Sequence, residues 1–226
     1  MLSAVVPLEM ATFRFADDEG PLAGQEGVVM ACAVRHPSGV VLFDTGFGFG
    51  SKLVDERYHP QSGRTHDVLA VAGIDPEAII AVINSHLHID HAGQNSAFPR
   101  TPIHAQPAEW EAAHGGDYTI VEWVDFPNAD YRLHAGDYEL LPGIRVLATP
   151  GHTPGHQSLA VDTIEGLTIL AGQAAYSRDE WIGARTDREG ASRAWDRAAY
   201  DRSITRLHDL APARVLFAHD RSVWMA

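Results

Sequence analysis

The chain has 226 residues, 45% of them hydrophobic and 21% charged, with a formal net charge of −13 at pH 7. That length and apolar content fit one compact domain over residues 1–226 with a large core, and they argue against general disorder. The acidic balance argues against a nucleic-acid partner, and no stretch approaches the ~18 apolar residues of a membrane span.

The charge is uneven along the chain. Residues 178–226 hold nine arginines against eight acids, so nearly all the excess negative charge lies earlier, and Lys52 is the only lysine. Cys32 is the only cysteine, which rules out an internal disulfide. It sits in the apolar run "VVMACAV" and reads as a small core residue. The opening "MLSAVVPLEM" lacks a basic segment followed by a long apolar one, so a cytoplasmic location is expected.

In chain order, "GVVMACAV" and "GVVLFDTG" read as strands joined by "PSG", a turn sequence, and are expected to pair as a hairpin. "GFGFG" (46–50) lacks the Lys-Ser/Thr ending of a phosphate loop. Its glycines suit a loop passing near a site, with Phe47 and Phe49 as apolar wall. "HDVLAVAG" reads as a short helix stopped by Gly73. "AIIAVINS" is a continuous apolar run, expected to be a strand buried on both faces. "QPAEWEAAH" suits a helix with Pro107 in its first turn. "YELLPGIRVLATPG" reads as two strands around a Pro-Gly turn, and "HQSLAVDT" with "LTILAG" as another hairpin. "SRAWDRAAYDRSITRLHDLAP" is the longest helical pattern. Tyr200, Ile204, Leu207 and Ala211 share a face there, and Pro212 ends it. "RVLFAHD" closes as a strand ending in a histidine. Strands in two groups, each with helices, imply a two-sheet core with helices outside.

The strand "AIIAVINS" runs straight into "SHLHIDHAG", which places three histidines and an aspartate within six positions. Ligand sites gather at the C-terminal ends of strands in layered α/β folds. His86 and His88 are two apart and project to one side of an extended segment. Asp90 and His91 lie beyond and can turn toward a second centre. Four such crowded side chains suit two ions better than one, each completed from elsewhere, as in hydrolases that clamp an attacking oxygen between paired metals. "ATPGHTPGH" offers His152 and "FAHD" offers His219. Nitrogen and carboxylate donors without thiolates suit Zn, Fe, Mn or Co.

These residues carry a resemblance. "SHLHIDHAG" matches the H-x-H-x-D-H signature of the metallo-β-lactamase superfamily, and "TPGHTPGHQS" with "FAHD" resembles its branch that hydrolyses N-acyl homoserine lactones. The resemblance covers most of the chain and implies an αβ/βα four-layer sandwich, with two mixed β-sheets flanked by helices. It implies that His86, His88 and His152 bind a first metal and Asp90, His91 and His219 a second, zinc above all, one or two ions per chain. Asp44 in "LFDTG" resembles the family's buried aspartate that orients a ligand histidine. His156 would support its loop rather than bind metal. The other seven histidines read as structural or surface residues.

One departure bears on the chemistry. The lactonases carry Asp-x-x-Tyr where this chain has Gln173-Ala-Ala-Tyr176. An amide oxygen can still ligate a hard cation, so Gln173 remains a candidate ligand, but two cations would face only one anionic protein ligand, Asp90. Three states follow as alternatives: a weak dinuclear site, a mononuclear site, or metals bridged by water alone. The expected activity is hydrolysis of a lactone or activated ester by metal-activated water, with Tyr176 donating to the oxyanion and Asp90 handling the nucleophile's proton. Within enzymes the rivals are a thioester or aryl ester hydrolase and a β-lactamase; no Lys/Arg cluster flanks the motifs to hold an anionic thioester. Outside enzymes the rival is an impaired homologue that binds metal and serves as a binding protein. The expected partner is a small lactone or ester, and a homodimer is left open.

Overall fold

The computed structural model describes residues 3–183 and 193–226. Ser192, the first residue of the expected last helix, lies outside them.

Two mixed sheets form the centre. The first has seven strands: β1 (Ala4–Arg14), β2 (Glu26–His36), β3 (Gly39–Phe43), β4 (Gln61–Ser62), β5 (Ile79–Ile83), β6 (Pro102–Ala105) and β7 (Asp130–Leu133), in the order β4-β1-β2-β3-β5-β6-β7. The second has six: β8 (Tyr138–Leu141), β9 (Ile144–Ala148), β10 (Gln157–Thr163), β11 (Gly166–Leu170), β12 (Arg214–Leu216) and β13 (Val223–Met225), in the order β13-β12-β11-β10-β9-β8. Helices α1 (Lys52–Tyr58), α2 (Thr65–Val71), α3 (Pro107–Ala113) and α4 (Val121–Val124) accompany the first sheet in sequence. Helices α5 (Arg178–Trp181) and α6 (Arg197–Asp209) accompany the second.

The layering follows from the two-residue period of the strands. Cys32 and Val34 of β2 point into the apolar layer between the sheets, where they meet Val146, Leu159 and Leu170. Their neighbours Ala31 and Ala33 point the other way, into a cluster shared with Val54 of α1 and Leu69 of α2. In the second sheet Leu159 and Val161 face inward, while Ala160 and Ile169 face Ile204 and Leu207 of α6. Each sheet is thus apolar on both faces and needs a cover on each, which gives four layers.

The hairpins expected at "PSG", "LPG" and before "LTILAG" are all present as antiparallel pairs. Gly73 follows α2 with φ +67°, the left-handed conformation that stops the helix. Three expectations change. Ile80 is exposed, because Val40 pairs with Ile79 and Val41 with Ala81, leaving Ile80 bulged out of the ladder. The last helix is shorter: Asp196 caps it by accepting from Ala199 N at 3.0 Å, and it ends at Asp209. Ala211, ahead of Pro212, leaves the helix with φ +48° and is exposed rather than on the buried face. The long β1 also escapes the sequence pattern, since Pro7 interrupts it. That proline is tolerated because β4 pairs with β1 only at Ala11 and Thr12, so β1 is an open edge at Pro7.

Cys32 is buried between the sheets as expected. Burial pushes its thiol up to about 12, and the nearby Asp44 carboxylate adds to the effect. An aromatic disulfide reagent is therefore expected to leave the folded protein unlabelled and to label one thiol per chain in guanidinium. Stoichiometric labelling under native conditions would contradict this placement.

Candidate metal centre

Five strands end at one edge of the sandwich, and the loops after them carry the candidate residues. Asp44 follows β3, His86 to His91 follow β5, His152 follows β9, Gln173 and Tyr176 follow β11, and His219 follows β12. Gln157 stitches the two sheets together beside them. Its backbone N donates to Ser85 O at 2.8 Å, and its Nε2 donates to Asn84 O at 2.9 Å and His104 O at 3.0 Å. Close backbone approach completes the arrangement. The "GFGFG" loop passes so near the cluster that a Cβ on Gly93 would lie 2.0 Å from Gly48 N.

The folded chain gathers two groups of three. His86, His88 and His152 form one, and Asp90, His91 and His219 the other; within each group the potential donor atoms all lie within 4.8 Å of one another. Both groups are therefore placed to hold a metal ion. Hydrogen bonds fix which ring nitrogen faces inward. His91 Nδ1 donates to Asp44 Oδ2 at 2.9 Å, and His219 Nδ1 to Val28 O at 2.8 Å. His86 Nδ1 donates to Ser85 Oγ at 2.9 Å, and that hydroxyl donates onward to Asp44 Oδ2 at 2.7 Å. In His86 and His219 this leaves the Nε2 lone pair free, the tautomer a metal requires, while His91 turns its Nε2 toward Asp90, 3.4 Å from Oδ2. In the first group His88 Nδ1 faces His152 Nε2 at 3.3 Å.

Electrostatics agree with this assignment. Burial lowers His86 and His152 well below the ordinary imidazole value, and pushes His88 and His219 down to about 4, so these rings are neutral near pH 7. His91 differs: burial would lower it, but Asp90 and Asp44 hold it up to about 10. The enclosed setting would raise Asp90, yet His91, His219 and His88 hold its carboxyl well below the usual range.

The donor set can be tested for fit to a metal. Buried polar atoms in native proteins almost always have partners. Here His86 Nε2, His91 Nε2, His219 Nε2 and Gln173 Oε1 are buried with none. Four such atoms from three loops, gathered around the Asp90 carboxylate, are the donor set an ion-binding centre requires. The residues fit.

Asp44 has the orienting position its sequence context suggested. Its carboxylate accepts from Ser85 N and Ser85 Oγ, both at 2.7 Å, as well as from His91. It adopts φ +67°, which an aspartate tolerates, and its backbone N donates to Ile83 O at 2.9 Å. His156 supports its loop. Its Nδ1 bonds Thr149, and its Nε2 accepts from the backbone N of Gln173 at 2.9 Å, which fixes the turn that carries Gln173.

The site opens into a cavity of about 800 Å³. His88, Asp90, His152, Gln173, Tyr176 and His219 line its floor, and Phe13, Phe15, Phe47 and Ile120 contribute apolar wall. Tyr176 is buried and stacks on His219, ring centroids 4.5 Å apart. Phe49, expected in the wall, is instead exposed beneath the Arg64 guanidinium. Two arginines from outside the motifs also reach the cavity. Arg57 donates to Asp18 at 2.7 Å and Arg193 pairs with Glu19, so each cation already has a carboxylate partner.

The chain matches the profile of the Metallo-beta-lactamase superfamily over residues 24–219. It belongs to that superfamily. Among relatives of this superfamily member is an N-acyl homoserine lactonase of Bacillus cereus, 36% identical over 210 residues, or 90% of this chain and 78% of the relative. Another is the lactonase AttM of Azorhizobium caulinodans, 34% identical, covering 92% of this chain and 87% of AttM. A solved structure of a B. thuringiensis AiiA variant with N-decanoyl-L-homoserine at its active site superposes with a TM-score of 0.79 at 28% identity, covering 97% and 93% of the two chains. The four-layer sandwich is therefore the superfamily's fold in observed form.

Sequence reasoning passed over Glu109 and Tyr118. Glu109 lies on the buried stripe of α3, four residues before the buried Ala113. An acid at a core position of an apolar helical pattern was the available signal.

Replacing Asp44 by Asn keeps the shape and tolerates the positive φ but removes the charge behind His91. Metal affinity measured by chelator competition is expected to fall by about tenfold or more; an unchanged affinity would show that Asp44 only shapes the loop.

Proposed function

We propose that residues 1–226 form one hydrolase domain that opens the ring of N-acyl homoserine lactones. His86, His88 and His152 hold one metal, and Asp90, His91 and His219 a second, zinc being the ion this nitrogen and carboxylate set suits. The observation that carries the reading is the convergence of both donor groups with Tyr176 on the floor of an apolar-walled cavity. The lactonase relatives named above support the choice of substrate.

Metal bound there would lower the pKa of water toward ~7 and polarise an ester carbonyl. The chain's own groups would do the rest. The apolar wall takes the acyl chain and excludes water. Tyr176, held against His219, donates its phenolic hydrogen to the carbonyl oxygen as charge develops on it. Asp90 takes the proton of the attacking water and returns it to the departing alkoxide. The pairing of Arg57 with Asp18 and of Arg193 with Glu19 favours a neutral substrate over an anionic thioester.

Gln173 supports a second reading, a homologue that binds metal without efficient turnover. Its amide oxygen is buried in the cavity without a hydrogen-bond partner, but adds no charge to balance two cations. Zinc-saturated protein is expected to hydrolyse N-hexanoyl-L-homoserine lactone, followed by acid release, and Tyr176→Phe to lower kcat by about 100-fold. No turnover of that lactone or of an aryl ester at saturating metal would favour the binding reading. Gln173→Asp is expected to raise bound metal toward about two ions per chain by supplying a second anionic ligand. An unchanged metal count would place Gln173 away from the ions.

A further inference from the structure

Glu109 is the one acidic side chain of the described residues that is buried on α3 and joins the two loops bearing the first donor group. Its Oε1 accepts from Leu87 N at 2.8 Å and from the Tyr118 hydroxyl. Its Oε2 accepts from Thr153 Oγ1 at 2.6 Å and from Gly155 N at 3.1 Å. Leu87 lies between His86 and His88, and Thr153 follows His152. The Gln157 N bond to Ser85 O ties the bases of the same two loops, and Glu109 ties them nearer the histidines, where α3 presses against the second loop: a Cβ on Gly155 would lie 2.2 Å from Glu109 N. Tyr118 adds a second link. Its ring lies 4.6 Å from that of His88, and it lines the cavity. Burial raises the Glu109 carboxyl, while the four donors pull the other way.

We propose that Glu109 is a positioning residue for the His86–His88–His152 group: its carboxylate sets the spacing of the two loops, as Asp44 orients His91 in the other group. The proposal rests on the metal assignment above. An amide cannot replace the carboxylate. Whichever way a glutamine is turned, its NH2 faces one pair of donors. A hydroxyl in that pair can rotate and accept, but the backbone N–H of Leu87 or Gly155 cannot. Loss of that bond leaves only the Gln157 bonds at the base of the loops, so the spacing of the three imidazoles shifts and they share one centre less well. The Asp90–His91–His219 group has no bond to Glu109 and should be unaffected.

The test is zinc titration against a chromophoric chelator, in chains that each retain one donor group. His219→Ala leaves the three-histidine group, and His152→Ala leaves the other. Glu109→Gln is expected to weaken zinc binding by about tenfold or more in the His219→Ala chain and to leave the His152→Ala chain unchanged. Tyr118→Phe, which removes one donor and keeps the carboxylate, is expected to give a smaller loss with the same dependence on background. Equal losses in both backgrounds would mean that Glu109 merely stabilises the fold, and would overturn the proposal. So would no loss in either, or a His219→Ala chain that binds no zinc. None of these readouts involves a lactone, so failure of the substrate assignment would leave the result intact.

Discussion

The Asp44 carboxylate is the interaction on which the site depends. It ends β3, reaches across to the end of β5, and takes three hydrogen bonds there, from Ser85 N, Ser85 Oγ and His91 Nδ1. Through His91 it orients one donor group directly. Through Ser85, which accepts from His86, it orients the other by a relay. One buried charge thus sets ring tautomers in both groups. Its own desolvation is offset by those donors, since a buried charge is tolerated only when it is fully bonded.

The surrounding structure is arranged so that imidazoles can remain unprotonated and unpaired in a dry place. The sheets are apolar on both faces, and their ends enclose the cluster. Burial favours the neutral ring in every candidate ligand histidine, and only in His91 do two neighbouring carboxylates outweigh it. The same enclosure leaves ring nitrogens and the Gln173 amide oxygen without hydrogen-bond partners, gathered where an ion would take them up. Two carboxylates stand behind the groups, Asp44 bonded to a ligand ring and Glu109 bonded to the loops. The first acts on orientation of a side chain and the second on spacing of backbones.

Gln173 sits on a loop built like the rest of the site. His156 fixes the backbone of its turn, and Tyr176 three residues on stacks on His219, so the loop is built as a site loop throughout. The Gln173 amide oxygen brings no charge to the cavity floor beside the two donor groups. The cavity above it is walled by aromatic and aliphatic side chains, and its two cationic residues are held by acids from the 15–25 loop.

Short-range features of the fold were legible in the residues. Alternating apolar runs and Pro-Gly turns marked the hairpins, and the spacing of His86, His88, Asp90 and His91 marked a metal centre, because those features depend on local geometry and donor chemistry. The elements that went unread, such as β1 with its internal proline and the two-residue β4, owe their conformation to partners distant in the chain. The amino-acid order by itself determined which donors were available and that position 173 carries an uncharged amide. Only the tertiary structure decided which ring nitrogen each histidine presents, that Phe49 leaves the wall while Arg57 and Arg193 enter it, and that Glu109 bridges two loops. Most of those outcomes depend on contacts with residues distant in the chain, and no local pattern encodes the direction in which a side chain will find its partner.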